Sequence, residues 1–241
     1  MDSAGSSSEP GHQRPVPSTV PDVSLITAIT PVLRHPGRFD LLVDGVRVAT
    51  LSLDAIEQLR LLVGGSVAGL EERIALEGAQ LEVYDRALSM LAFRARASAE
   101  LARLLVRKGA LKEHADRAVA RLQEQGLLDD AAFARSFTRA RVLGARQSKR
   151  RVQQDLGRKG VARAVTDAAI AMVFDEEGVD HRTVVEEAAR RKLRSLTKLD
   201  PAVRRRRLYA FLARRGYDGD DIRNAMAAVG VEVKRGDEIE E

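Results

Sequence analysis

The chain has 241 residues, no cysteine and a formal net charge of +5, from 40 Lys and Arg against 35 Asp and Glu. That length holds one or two domains with real cores, and the lack of thiols excludes disulfides, thiolate catalysis and zinc–cysteine sites. No apolar run approaches the roughly 18 residues that span a bilayer, and the N-terminus has neither the basic nor the apolar segment of a secretory signal, so a cytoplasmic protein away from membranes is expected.

The charge is unevenly spread. Residues 1–86 carry 7 basic and 12 acidic side chains, residues 87–236 carry 33 basic and 19 acidic, and the last five residues add four acids. A basic body between acidic ends favours a polyanionic or acidic partner.

In chain order, residues 1–23 are rich in Ser, Gly and Pro, show no periodicity and read as a disordered tail. Residues 24–66 read as a small β-rich region. A strand is expected over Ser24–Leu33, then a turn at His35-Pro36-Gly37. Phe39, Leu41 and Val43 alternate, and Asp44-Gly45 separates them from Val46 and Val48, the signature of a type I′ hairpin. Ser52 or Asp54 is expected to cap a short helix carrying Ile56, Leu59 and Leu62 that stops at Gly64-Gly65. So small a sheet is expected to pack on the first long helix of the helical region.

From Leu70 the pattern is helical. A long helix to about Arg96 places Ile74, Leu81, Tyr84, Leu88 and Leu91 on its inner side. Ser98 is the expected N-cap of the next helix, a third spans about Lys112–Gln125, and an aspartate of Asp129-Asp130 caps the one after. There Phe133 and Phe137 face inward and Gly144 breaks the helix. Ser148 is expected to repeat the role of Ser98, and Asp200-Pro201 starts a helix of the last unit.

An internal repeat organises this region. With Gly109, Gly160 and Gly216 in register, Leu101, Val152 and Leu208 stand eight residues before, and Leu105, Leu156 and Leu212 four before. Val119, Ile170 and Met226 stand ten after, and Leu122, Val173 and Val229 thirteen after. Each set is one face of a helix, and the glycine suits a left-handed position ending the first helix. The expected fold is mainly α, with three-helix repeats at 67–127, 128–178 and 179–230 forming an elongated curved array, and an acidic tail at 231–241.

The candidate sites are basic. Between Asp130 and Asp155 lie Arg135, Arg139, Arg141, Arg146, Lys149, Arg150 and Arg151 with no acid. Between Asp200 and Asp218 lie Arg204, Arg205, Arg206, Arg207, Arg214 and Arg215. With Lys159, beside the repeat glycine, these are the candidate binding residues. Two such runs at similar places in successive units suggest a continuous strip for phosphates or an acidic protein surface; solvated helix faces are the plain alternative. Aromatics are few, which argues against base-stacking platforms.

Nothing points to catalysis. Asp129-Asp130 precedes an apolar helix and reads as capping rather than a metal site. His12, His35, His114 and His181 are scattered, so no metal is assigned. Gly64-Gly65-Ser66 lacks the lysine of a phosphate loop, and no G-x-S-x-G occurs. No catalytic residue and no cofactor are expected.

The blocks resemble a known family. A-L-S-M-L-A-F-R-A-R-A-S-A-E-L (Ala87–Leu101), R-K-G (107–109), G-L-L-D-D-A-A-F-A (126–134), R-K-G-V (158–161) and F-L-A-R-R-G-Y (211–217) resemble, in order, the RecX family of regulators of the RecA recombinase. The resemblance covers about Tyr84 to Val229; Phe93 departs from the small or polar residue commoner there. It implies a non-enzymatic protein, expected as a monomer, that binds the RecA–single-stranded DNA filament and lowers its ATPase and strand-exchange activity in recombination and DNA repair. Rival readings stay open: a helical protein binding nucleic acid directly, a general interaction scaffold and, third, an enzyme. The period near 50 residues counts against a scaffold of the tetratricopeptide type.

Overall fold

The computed structural model describes residues 24–231; the N-terminal and C-terminal tails inferred from sequence lie outside the described residues, apart from Val231. The chain divides into two compact units between Leu81 and Glu82, within one helix.

The first unit is built on a three-stranded antiparallel sheet, β1 (Ile26–Pro31), β2 (Arg38–Val43) and β3 (Val46–Ser52), paired in that order. Asp44 and Gly45 both take positive φ, 50° and 80°, as a type I′ turn demands. Period-2 alternation buries Leu41, Val43 and Leu51 together with Ile26, and Leu59, Leu61, Val67 and Ile74 complete the core. Ser52 caps α1 (Leu53–Gln58), its Oγ accepting from the Ala55 N–H at 3.2 Å.

The end of this helix differs from expectation. It stops at Gln58, and Arg60 turns the chain at φ 52°. Gly64-Gly65 lies beyond it and closes the sheet: Gly64 N–H donates to Ile26 O, and Ile26 N–H to Gly65 O, both at 2.8 Å. The early turn buries Leu61 in place of Leu62, which is 72% exposed. The first strand is also shorter than Ser24–Leu33.

Helix α2 (Glu71–Phe93) begins in this unit. Ile74 belongs to the sheet core, and a Cβ on Gly78 would meet the Ala49 Cβ at 3.2 Å. The sheet therefore packs on this helix as expected, but Ile74 serves the sheet instead of the helical repeats.

The second unit contains the last part of α2 and eight further α-helices among the described residues. These are α3 (Ser98–Arg107), α4 (Lys112–Glu124), α5 (Asp130–Arg139), α6 (Lys149–Lys159), α7 (Arg163–Glu176), α8 (His181–Arg194), α9 (Pro201–Arg214) and α10 (Gly219–Ala228). They form three modules of three helices, whose middle helices are α3, α6 and α9. The repeat positions Leu101, Val152, Leu208, Leu105, Leu156 and Leu212 are all fully buried, as are Leu122, Val173 and Met226. Gly109, Gly160 and Gly216 end the middle helices at φ 93°, 89° and 87°.

Capping settles how the modules begin. Asp129 Oδ1 accepts from Ala131 and Ala132 N–H at 2.8 and 3.0 Å and starts its own helix, α5. Asp130 does something else: its Oδ1 accepts the Ser98 N–H at 2.8 Å and caps α3 from across the structure. Ser98 is therefore not the N-cap. Ala97 holds that position without a side-chain bond, and Ser98 Oγ instead accepts from Gln123 Nε2 at 3.0 Å. Ser148 does cap α6, accepting from Arg151 N–H at 3.1 Å. Asp200 caps α9 with Pro201 at its first position, as expected. Before α6 the ladder of α5 widens into a π turn over Ala140–Gly144 and leaves Arg146 in the left-handed region at φ 49°.

Successive modules of this unit are clamped end to side. Arg103 of α3 donates to the carbonyls of Arg158 and Lys159 at 3.0 and 2.9 Å, satisfying the free C-terminal end of α6. In the next junction Ser148 N–H donates to Arg215 O at 3.0 Å and Ser148 Oγ to Gly216 O at 2.7 Å, gripping the end of α9.

Candidate basic interface

The fourteen cations inferred from sequence sort by what surrounds them. Several carry an acid at ion-pair distance. Arg139 meets Glu176 and Glu177 at 2.7 and 2.5 Å, Arg146 meets Glu187 at 2.9 Å, Arg151 meets Asp155 at 3.3 Å, and Lys159 meets Glu100 at 2.9 Å. The Glu177 carboxylate holds the Arg139 guanidinium above its usual pKa, against desolvation, with Glu176 adding to it.

Two of these pairs are architectural. Lys159 joins the first and second modules, since Glu100 also holds Arg94 and Arg96 at 2.6 and 3.5 Å. Burial pushes the Glu100 carboxyl up, but hydrogen bonds from Lys159 and Arg94 and their charges outweigh it and leave the group below its usual range. Arg146 fixes a strained turn, its guanidinium also bonding the Leu143 carbonyl.

Others lie on aromatic faces. Arg141 sits 4.9 Å above the Phe137 ring, Lys149 4.2 Å above Phe174, and Arg215 4.4 Å above Phe211. Arg135 is half-buried near Asp129, whose carboxyl is lowered first by the Ala132 N–H and, among smaller causes, by Arg135. Arg204 and Arg205 are half-buried, and Arg204 Nε has no acceptor. Arg150, Arg206, Arg207 and Arg214 remain, all exposed. They lie on α6 and α9, the middle helices of the second and third modules.

The structure brings Arg146 and Arg215 together and adds two cations that charge counting missed, Arg191 and Lys192 of α8. These follow Glu186-Glu187 in sequence, so the segment reads as balanced charge. Their signal was a basic last helical turn, where cations also favour the helix dipole. A second cleft, of about 540 Å³, lies in the first module between Arg86, Arg96 and Lys108, with Met90 and an 85% exposed Phe93 in its lining. His12 lies outside the described residues, and among the described residues no group of His, Asp and Glu could hold a metal ion. No helix among them is long and apolar enough to cross a membrane.

Comparison with known proteins agrees with this modular division. The family models "RecX, first three-helix domain", "RecX, second three-helix domain" and "RecX, third three-helix domain" match residues 84–122, 129–170 and 183–226. The regulatory protein RecX of Chlorobaculum tepidum is 34% identical over 165 residues, 68% of this chain and 99% of that protein. That of Halorhodospira halophila is 35% identical over 156 residues, covering 64% and 92%, and that of Mycolicibacterium vanbaalenii 39% over 137 residues, covering 54% and 73%. A solved structure of a regulatory protein RecX superposes with a TM-score of 0.65 at 20% identity, over 83% of this chain and 97% of that one, which shows a shared fold. The sheet unit precedes all three matched domains, and the repeat that the glycines mark is the family's own: the chain belongs to the RecX family of regulatory proteins.

Proposed function

We propose that this protein binds the RecA–single-stranded DNA filament through its basic helical body and lowers the filament's ATPase and strand-exchange activity, acting as a monomer in the cytoplasm in DNA recombination and repair. The observation that carries this reading is the set of exposed cations Arg150, Arg206, Arg207 and Arg214 on equivalent helices of successive modules. Repetition of cations along stacked modules suits a repeating polyanion better than a pocketed ligand. The protein itself does no chemistry in this reading; its effect comes from binding energy.

The test is the single-stranded-DNA-dependent ATPase of the recombinase with this protein titrated in, at several salt concentrations. Inhibition that weakens with salt is expected, and an ATPase indifferent to the protein would reject the proposal. A second reading, direct nucleic-acid binding without recombinase, draws on the same cations. It predicts equal affinity for bare and recombinase-coated strands.

A further inference from the structure

Where the second and third modules meet, a cleft of about 280 Å³ is lined by four cations, Arg146, Arg191, Lys192 and Arg215. Its walls are the Gly144–Arg146 turn of the second module and helices α8 and α9 of the third. Phe211 lines it too, with Arg215 at 4.4 Å and Lys192 at 5.4 Å from the ring centre.

The acids nearest Arg191 and Lys192 in sequence are occupied. Glu186 pairs with Arg182 and Arg190, each at 2.9 Å, and Glu187 pairs with Arg146. Burial holds the Arg215 guanidinium below its usual range; Tyr217 opposes this, and Arg191 and Arg146 push the same way as burial. Arg215 Nε is buried and has no acceptor. Clustered cations with an unsatisfied buried donor are costly unless an anion sits among them. The helix dipole of α8 accounts for Arg191 and Lys192, and Glu187 for Arg146, but neither accounts for Arg215.

The walls are also held in place. Ser148 fixes the Arg215 and Gly216 carbonyls, and Tyr217 Oη donates to Arg146 O at 2.9 Å. A site so braced loses little freedom on binding. A carboxylate matches one guanidinium fork, whereas a tetrahedral phosphate presents oxygens to several donors at once.

We propose that this cleft binds a phosphate group, gripped by Arg191, Lys192 and Arg215. A strand phosphodiester and a free phosphate share that chemistry. The inference rests on the filament reading only in taking a DNA strand as the natural source.

The experiment uses the full chain without recombinase, a fluorescein-labelled oligothymidylate read by anisotropy, and inorganic phosphate read by the Arg Nε–H resonances. Arg191→Gln with Lys192→Gln should weaken oligonucleotide binding about tenfold and reduce the slope of log affinity against log salt by about one. Arg107→Gln with Arg117→Gln removes the same charge from exposed sites of the first module and should change affinity less than about twofold. Circular dichroism and melting temperature check that all variants fold, and Arg191→Gln alone serves if the double variant does not. Equal loss in both double variants, or none in the cleft variant, overturns the proposal. So does a wild-type protein that binds neither oligonucleotide nor phosphate. Phosphate that shifts Arg215 without oligonucleotide binding supports a free-phosphate site. Cleft-dependent oligonucleotide binding without recombinase inhibition leaves the cleft standing and removes the filament reading.

Discussion

Gly160 stands so close to Ala99 that a Cβ placed on it would lie 2.4 Å from the Ala99 Cβ. Gly216 repeats the relationship with the second module, its Cβ position being 2.7 Å from both Arg151 Cβ and Ser148 Oγ. Gly109 has no neighbour within 4 Å at that position. All three glycines end a helix in the left-handed region, but only the later two are also the contact by which a module abuts its predecessor.

Alanine should therefore cost more at 160 than at 109. At Gly109 it faces left-handed strain of about 1–2 kcal/mol. At Gly160 overpacking adds about 1–3 kcal/mol. Urea unfolding with an unchanged m-value is the measurement; equal losses would mean that the junction yields without cost.

The paired aspartates should separate in the same way. Asp129→Ala removes a local cap, worth about 1 kcal/mol. Asp130→Ala frees the N-terminus of a different helix, α3, and leaves the N–H of the buried Ser98 without its acceptor. A loss of about 1–3 kcal/mol is expected, and hydrogen exchange should quicken at the start of α3 for Asp130→Ala but not for Asp129→Ala.

The stripes around Leu101, Val152 and Leu208 were legible because a 3.6-residue period records burial locally, residue by residue. The Asp44-Gly45 hairpin was legible for a similar reason: its backbone angles admit few residue types. What sequence did not show is long-range. Nothing near Asp130 says that its partner is Ser98, 32 positions away. Ile74 fits the helical stripe by spacing and serves the sheet in the fold. The acid-free run from 131 to 154 looked uniformly available, yet Arg139 and Arg146 find acids from 37 to 41 positions away. Charge counting registers composition; pairing across modules decides which charges remain open.

Glu100 gives a prediction in pH. Its folded pKa lies below the ordinary 4.5, so the ion cluster with Lys159, Arg94 and Arg96 contributes fully above that value. The contribution fades as pH falls through the folded value, where the carboxyl protonates in both states. Glu100→Gln should be less stable than wild type near neutral pH, and the two melting temperatures should converge as the pH falls below the ordinary 4.5. Parallel curves over that range would show that the loss comes from packing instead of charge.

The exposed cations carry the last prediction. Arg150 and Arg206 are exposed on equivalent helices, and neither has an ion pair among the described residues, whereas Arg151 has Asp155 beside it. Arg150→Glu with Arg206→Glu is therefore a cleaner test than a change at Arg151, which would also break a helical pair. Surface reversals of this kind shift stability by within about 0.5 kcal/mol, so the variant should fold. Arg107→Glu with Arg117→Glu is the matched control; Arg121 is unsuitable because it lies 4.7 Å above the Tyr84 ring. In the recombinase ATPase assay the Arg150/Arg206 variant should need about tenfold more protein for half inhibition at low salt. High salt should narrow the gap, since it screens the wild-type contacts as well. The control should track wild type throughout. If both variants inhibit as wild type does at every salt concentration, the exposed arginines only solvate their helices, and the inhibitory contact lies elsewhere on the modules.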